Sequence, residues 1–133
     1  MKLVHINPSD VYDSLRSRGY TQVVTAREVD TLIMVSGQLP LDERGRLVGE
    51  GDIELQTRTV YENLRRSLRA AGADLASILR MTTYITDIAK HPPIVRKVRA
   101  EYFGSTTPPA STMIEIPRLV GAILIEVDAV AAL

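Results

Sequence analysis

Hydrophobic and polar residues alternate in six short segments of the chain, and this alternation predicts β-strands. The first is a short segment at residues 2–6. Two β-branched runs follow at residues 21–26 and 31–38, and the four polar or small residues between them form a connection of hairpin length. We therefore expect these two runs to pair as antiparallel strands. Three later segments also have the pattern of strands, at residues 77–86, 110–116 and 123–131.

Two segments have the three-and-four spacing of amphipathic helices. The first runs from Asp52, a natural N-cap, to about Ala71, with Gly72 as a natural C-cap. Its predicted buried stripe is Ile53, Thr57, Val60, Tyr61, Leu64, Leu68 and Ala71. The second helix starts at His91-Pro92-Pro93, because proline is tolerated in a first turn, and runs to about Phe103. Its predicted buried stripe is Ile94, Val95, Val98 and Tyr102.

The element order β-β-β-α-β-α-β-β predicts an α+β fold, with two helices on one face of a mixed six-stranded sheet. The last segment places Ile123, Ile125, Val127, Ala129 and Ala131 on one side of its strand. Leu124 and Val130 lie on the other side, so the face without helices is also partly apolar. We expect that face to be buried against another copy of the chain.

Composition narrows the class of protein. The chain has 133 residues, of which 45% are hydrophobic, and this size suits one domain spanning residues 1–133. Its 16 basic residues balance 16 acidic ones, so no net charge attracts nucleic acid or an anionic membrane. There is no cysteine, and the histidines are His5 and His91, so we expect no metal and no thiol chemistry. Without an apolar run of signal-peptide or membrane-spanning length, we expect a soluble, cytoplasmic protein.

A few residues are candidates for chemistry. Ser36-Gly37-Gln38 ends a predicted strand, and a glycine there either lets a ligand approach closely or serves the backbone alone. Glu126 and Asp128 share one side of the last strand, and burial at an interface would make both carboxyls candidates for a functional role. Tyr20 is either a core residue or the lid of a pocket. The hydroxyls of Ser111 and Thr112 have no histidine placed to activate them, which argues against a serine-hydrolase triad.

Several short motifs, in this order along the chain, resemble the Rid family, also called YjgF or L-PSP. They are Gly19-Tyr20, Val35-Ser36-Gly37-Gln38-Leu39-Pro40, Gln56 and Asn63 before Gly72, Tyr102-Phe103, Pro109-Ala110, Ile114 to Leu119, and Ile125 to Ala131. The resemblance covers nearly the whole chain. It implies a chorismate-mutase-like fold assembled as a homotrimer, in which the sheets form an inner barrel and three clefts lie between subunits.

The resemblance also implies a chemistry. The deaminases of this family hydrolyse reactive enamines and imines in these clefts, releasing a 2-keto acid and ammonia, without metal or bound cofactor. Carried over position by position, one side of the cleft takes Tyr20, Ser36, Gly37 and Glu126, with Glu126 as the catalytic residue. The neighbouring subunit supplies the Pro109-Ala110-Ser111 corner and Met113.

The sequence departs from the deaminase pattern at Ser111, where the family's deaminases have an arginine that holds the substrate carboxylate. A serine hydroxyl offers one neutral donor in place of two charge-assisted hydrogen bonds. Arg96, on the second helix, either supplies the missing cation or faces solvent. Three functions therefore stay open: an imine or enamine hydrolase, a trimer that binds a small metabolite without converting it, and an RNA-acting protein. The balanced charge and the absence of paired histidines argue against the last.

Overall fold

The computed structural model describes all 133 residues and contains six strands and three α-helices. In chain order they are β1 (Lys2–Ile6), α1 (Ser14–Arg18), β2 (Val23–Arg27), β3 (Leu32–Gln38), α2 (Ile53–Ala70), β4 (Ile78–Ile85), α3 (Pro92–Phe103), β5 (Ala110–Glu115) and β6 (Ile125–Ala132). A single 3-10 turn, Leu75–Ser77, precedes β4. None of the helices combines the length and the hydropathy that a membrane crossing requires.

Four strands form the main sheet in the order β3-β6-β4-β5. β4 and β5 run parallel, joined by α3, and the other neighbours are antiparallel. The predicted α+β class and mixed sheet are therefore confirmed. A core of 18 buried residues joins α2 and α3 to the inward-facing side chains of this sheet. β6 keeps the predicted alternation, with Ile125, Val127, Ala129 and Ala131 buried.

The predicted six-stranded sheet is wrong, because β2 pairs with β1 and not with β3. Two anchors separate β2 from β3. Thr21, just before β2, donates its backbone N–H to the carbonyl of Pro109 beside β5. Thr31, just before β3, exchanges two backbone hydrogen bonds with Leu133 beyond β6. The two-stranded β1-β2 sheet is thus tied to the β5 edge, and β3 is the opposite edge strand of the main sheet.

Both long helices form where the sequence predicts them. The Asp52 carboxylate accepts the backbone N–H of Leu55 at 3.0 Å and so caps the start of α2. Gly72 has a φ of +78° just beyond the end of the helix, a conformation that favours glycine. Two details of the predicted stripe are wrong: Ala71 is exposed, and Gln56 is fully buried. Gln56 can be buried because its amide is satisfied by backbone groups.

In α3 the predicted stripe is shifted by a few residues. Val95 and Val98 are fully buried as expected, but Ile94 and Tyr102 are only partly buried. Arg99 and Phe103 complete the buried face in their place. They continue the spacing from Val95 in steps of four, so the helix turns one arginine toward the interior.

The short helix α1 was missed because its five residues carry no hydrophobic stripe. Its signals are the caps: the Asp13 carboxylate accepts the backbone N–H of Arg16 at 3.0 Å, and Gly19 ends the helix with a φ of +69°.

Candidate functional site

The residues predicted to form one site fall into two groups on opposite edges of the main sheet. Ser36, Gly37 and Glu126 lie together where β3 meets β6, and we call them the Glu126 cluster. Tyr20, Arg96, Ser111 and Met113 line one cavity beside β5. Three strand spacings separate β3 from β5, which is about 14 Å. A single chain therefore does not bring the two groups together.

The Glu126 cluster is built on an irregularity in β3. The pairing of β3 with β6 shifts between Val35 and Gln38, so Ser36 and Gly37 occupy a bulge. Bulges re-aim side chains and are frequent beside active sites. The Glu126 side chain lies against Gly37 so closely that a Cβ atom at position 37 would be 1.8 Å from its Oε1. Gly37 is thus required by the approach of the carboxylate and not by a positive φ.

Two amide side chains of α2 hold the loops that flank the Glu126 cluster. Asn63 donates to the carbonyls of Leu39 and Leu41 at 2.9 and 2.8 Å, which fixes the chain leaving β3. Gln56 donates to the carbonyl of Ala122 and accepts the N–H of Leu124 at 2.8 Å, which fixes the chain entering β6. Both ends of the bulged β3-β6 pair are therefore anchored to one rigid helix.

Glu126 and Asp128 lie on the sheet face that carries no helix, and both are half-buried. The hydroxyl of Tyr84, on the neighbouring strand, donates to Asp128 at 3.0 Å. This hydrogen bond raises the pKa of Tyr84, as does its partial desolvation. Nowhere in the chain do three histidine, aspartate or glutamate side chains lie close enough to hold a metal ion.

The second group surrounds a cavity of about 1060 Å³, open on one side, between α1, the first half of α3, and β5. Arg18, Arg80 and Arg99 join the predicted Arg96 in its wall, and we call it the arginine cavity. None of these four arginines has a carboxylate within ion-pair distance, and no aspartate, glutamate or histidine lines the cavity. The cavity is therefore suited to an anion.

Local structure explains how Tyr20 reaches the arginine cavity. α1 ends at Gly19, and the next residues are held against the start of β5 by Thr21, whose hydroxyl donates to the carbonyl of Pro108 at 2.6 Å. We expected Tyr20 beside Ser36, Gly37 and Glu126, but within the chain it lies with Ser111 and Arg96. The hydroxyls of Tyr20 and Tyr12 are 2.6 Å apart. That hydrogen bond raises the pKa of Tyr20, so its hydroxyl stays protonated at neutral pH.

Arg99 is the least exposed of the four arginines, with 5% of its surface accessible. Its Nη2 donates to the carbonyl of Arg18 at 2.7 Å, which ties the end of α1 to α3. Burial lowers the pKa of Arg99, and the nearby charge of Arg96 lowers it further. A buried cation without an acidic partner is costly, and this one borders the cavity.

Sequence analysis missed Arg18, Arg80 and Arg99. Arg99 alone had a visible signal, since it stands four residues after Val95 on the buried face of α3. Arg18 and Arg80 are brought to the cavity only by α1 and by the pairing of β4 with β5. The pairing of β4 with β5 cannot be derived from local sequence, and the caps of α1 do not show which residues that helix approaches.

The sequence and the fold of this chain both match known proteins. The sequence model of the family described as Endoribonuclease L-PSP matches residues 14–133. The chain belongs to this family, the Rid (YjgF/L-PSP) family. The match begins at α1, so β1 lies outside it.

Relatives of known name match most of the chain. A RutC family protein of Pyrococcus horikoshii is 36% identical over 112 residues, covering 84% of this chain and 85% of that protein. The 3-aminoacrylate deaminase RutC of Acinetobacter baylyi is 36% identical over 108 residues, covering 81% of this chain and 84% of that protein. The crystal structure of the Rid protein YyfB from Yersinia pestis covers all of both chains, with a TM-score of 0.88 and 32% identity.

Proposed function

We propose that this protein is a cytoplasmic homotrimer that hydrolyses small imines and enamines to a carbonyl compound and ammonia. The observation that carries the proposal is the Glu126 carboxylate packed over Gly37, on a sheet face that no helix covers. The similarity to a protein named as a 3-aminoacrylate deaminase, at 36% identity, supports the same class of reaction.

The site is completed by a second copy of the chain. The Glu126 cluster supplies a carboxylate, and the arginine cavity of the next copy supplies cations and hydroxyls. Apolar side chains of β3, the strand that carries Ser36 and Gly37, support such a contact: Leu32 is 54% exposed and Met34 is 68% exposed. Exposed apolar groups of this kind on an edge strand are typical of interfaces.

In the proposed reaction, Glu126 acts as general base and then as general acid. It accepts a proton from water as the water oxygen bonds to the imine carbon, and the C=N bond becomes a C–N single bond. It then returns this proton to the nitrogen, which gives a neutral carbinolamine. Glu126 next takes the proton of the new hydroxyl and passes it to the amino group, so the C–N bond breaks, ammonia leaves and the carbon–oxygen double bond forms. An enamine first becomes the imine by gaining a proton on carbon and losing one from nitrogen. No electrons are exchanged with another molecule, and water is the only co-reactant.

The charge of the substrate carboxylate is matched by Arg96, because residue 111 carries no charge. Ser111 lies in the same cavity as Arg96, so an anion beside the serine is also within the field of the arginine. The planar guanidinium gives the two-pronged contact that a carboxylate prefers, and Ser111 adds one neutral hydrogen bond.

The test is to mix the protein with freshly generated 2-iminobutyrate or 2-aminoacrylate and to measure the rate at which keto acid is released. We expect a rate above buffer, and a loss of about 100-fold or more in Glu126→Gln. Glu43→Gln, in the exposed turn after β3, is the matched control and should retain the wild-type rate. A wild-type rate equal to that of buffer would exclude this substrate class.

A second candidate is a trimer that binds a small anionic metabolite without converting it. It is favoured by the make-up of the arginine cavity, whose lining contains cations and hydroxyls but no carboxylate or imidazole to move a proton at neutral pH. Under this alternative, keto acids and other carboxylates raise the melting temperature, neutral analogues do not, and no imine is hydrolysed.

A further inference from the structure

Six of the 13 arginines of this chain have a carboxylate partner within 4.0 Å, and seven have none. In α2, Arg58, Arg65, Arg66 and Arg69 each have a carboxylate partner at 2.6 to 3.2 Å. The four arginines of the arginine cavity have none. Four of the seven arginines without a carboxylate partner therefore line this one cavity. Such a concentration is more than a single carboxylate would neutralise.

The four guanidinium groups come from three sides of the arginine cavity. Arg96 and Arg99 stand one turn apart on the same face of α3. Arg18 lies at the end of α1, where its carbonyl accepts the hydrogen bond from Arg99. Arg80 approaches from β4, with its Nη2 3.5 Å from the hydroxyl of Thr112 on β5. An anion in the cavity therefore lies between guanidinium groups from α3 and a guanidinium group from the sheet.

The size of the cavity allows more than a three- or four-carbon acid. A volume of about 1060 Å³ is at the upper end of the range for small-molecule sites. Arg99 is more than nine-tenths buried and still borders the cavity, so the site has a fixed cationic wall and not only mobile surface side chains.

We infer that the ligand of the arginine cavity carries two negative groups, one held by Arg96 beside Ser111 and a second held by Arg80 and Arg99. This inference rests on the proposed function for the place of the ligand, but it does not depend on catalysis. The second group is a carboxylate or a phosphate, since the fork of arginine binds both. The loss of an arginine at position 111 is then one part of a change in substrate, from a monoanion to a dianion.

The test compares stable anions that differ by one charged group, measured by isothermal titration calorimetry at low salt. The probes are 2-oxobutyrate, 2-oxoglutarate and 2-phosphoglycolate. We expect 2-oxoglutarate or 2-phosphoglycolate to bind at least about tenfold more tightly than 2-oxobutyrate, with an advantage that shrinks as salt is added. Which of the two binds better identifies the second group. Equal affinity for all three probes would overturn the inference.

Substitutions of single arginines show which side chains give the preference for the dianion. Arg80→Gln, on the exposed side of the cavity, should remove the preference for the dianion and leave the affinity for 2-oxobutyrate within about twofold, because only the second group loses its partner. Arg96→Gln should weaken both. Arg99→Lys keeps the buried charge but not the fork, and serves as a second variant if folding is affected. Arg44→Gln, an exposed arginine outside the cavity, is the control. If Arg80→Gln and Arg99→Lys both retain the preference, the inference is wrong.

The result of the binding measurement is independent of the result of the hydrolysis assay. A preference for dianions without turnover of any imine would remove the proposed reaction and keep the inference. Hydrolysis of 2-iminobutyrate with no preference for dianions would keep the proposed reaction and overturn the inference.

Discussion

Replacing Gly37 by alanine tests the role of Glu126 most directly. The new Cβ atom would lie 1.8 Å from Oε1, 2.7 Å from Cδ and 3.0 Å from Cγ of Glu126. Ordinary contact begins at 3.4 Å, so the carboxylate oxygen has to move by roughly 1.5 Å. The backbone can accept alanine, because the φ of Gly37 is not positive. The substitution therefore displaces the carboxylate and leaves the chain path alone.

The two consequences of Gly37→Ala differ greatly in size. Moving the end of a flexible side chain to another rotamer costs about 1 kcal/mol, which lowers the melting temperature by about 3 to 5 °C for a domain of this length. A displacement of about 1 Å in a catalytic group can cost about 100-fold in rate. We expect a folded protein that has lost most of its imine hydrolysis, measured by keto-acid release and by thermal unfolding followed by circular dichroism.

Gly45→Ala is the matched control. Gly45 has a φ of +73°, and an added Cβ would meet no atom within 4 Å. Alanine there costs about 1 to 2 kcal/mol through backbone strain, so stability falls while activity is retained. If Gly37→Ala hydrolyses imines at the wild-type rate, the carboxylate at this position is not the acid-base group, and the proposed mechanism is refuted.

Three further predictions concern the other parts of the molecule. Ser111→Arg introduces the side chain that the resemblance to the family's deaminases implies at this position, and it should raise the hydrolysis of 2-iminobutyrate by about tenfold or more; an unchanged rate would mean that the cavity has diverged beyond this position. Asp52→Ala removes the N-cap of α2 and should lower the free energy of unfolding in urea by about 1 kcal/mol. Burial lowers the pKa of His91, so the unfolded chain binds a proton more readily than the native one, and stability is lost as pH falls below about 6.5. His91→Gln should therefore lose less stability than the wild type between pH 7.5 and pH 5, and equal losses would contradict this assignment.

Periodicity was sufficient to predict the elements that form the core. α2 and β6 have uninterrupted patterns, and Asp52 and Gly72 mark the ends of the helix, so both were predicted to within two residues. In a strand every second residue is buried, and in a helix every third or fourth residue is buried. The hydrophobic residues of such segments therefore recur with the same spacing.

The partner of β2 could not be predicted in this way. Residues 21–26 and 31–38 have the composition and spacing of a hairpin, but the anchors of Thr21 at Pro109 and of Thr31 at Leu133 are contacts between residues far apart in sequence. The same holds for the candidate site. Glu126 and Gly37 are candidates that their positions near strand ends suggest, and their role stays a prediction. The arginine cavity depends on α1, α3 and β5 coming together, and local sequence gives no sign of that.

The position of the Glu126 cluster and the arginine cavity on opposite edges of the sheet restricts the symmetry of the proposed assembly. When two sheets meet edge to edge across a two-fold axis, like edges are joined, and two carboxylates or two sets of arginines lie across from each other. Among edge-to-edge contacts only a head-to-tail one matches unlike edges, and it gives a closed ring where the repeated rotation closes. In a ring each chain contributes its Glu126 cluster to one neighbour and its arginine cavity to the other. The number of complete sites therefore equals the number of chains. An open row of the same chains always ends with two halves unused.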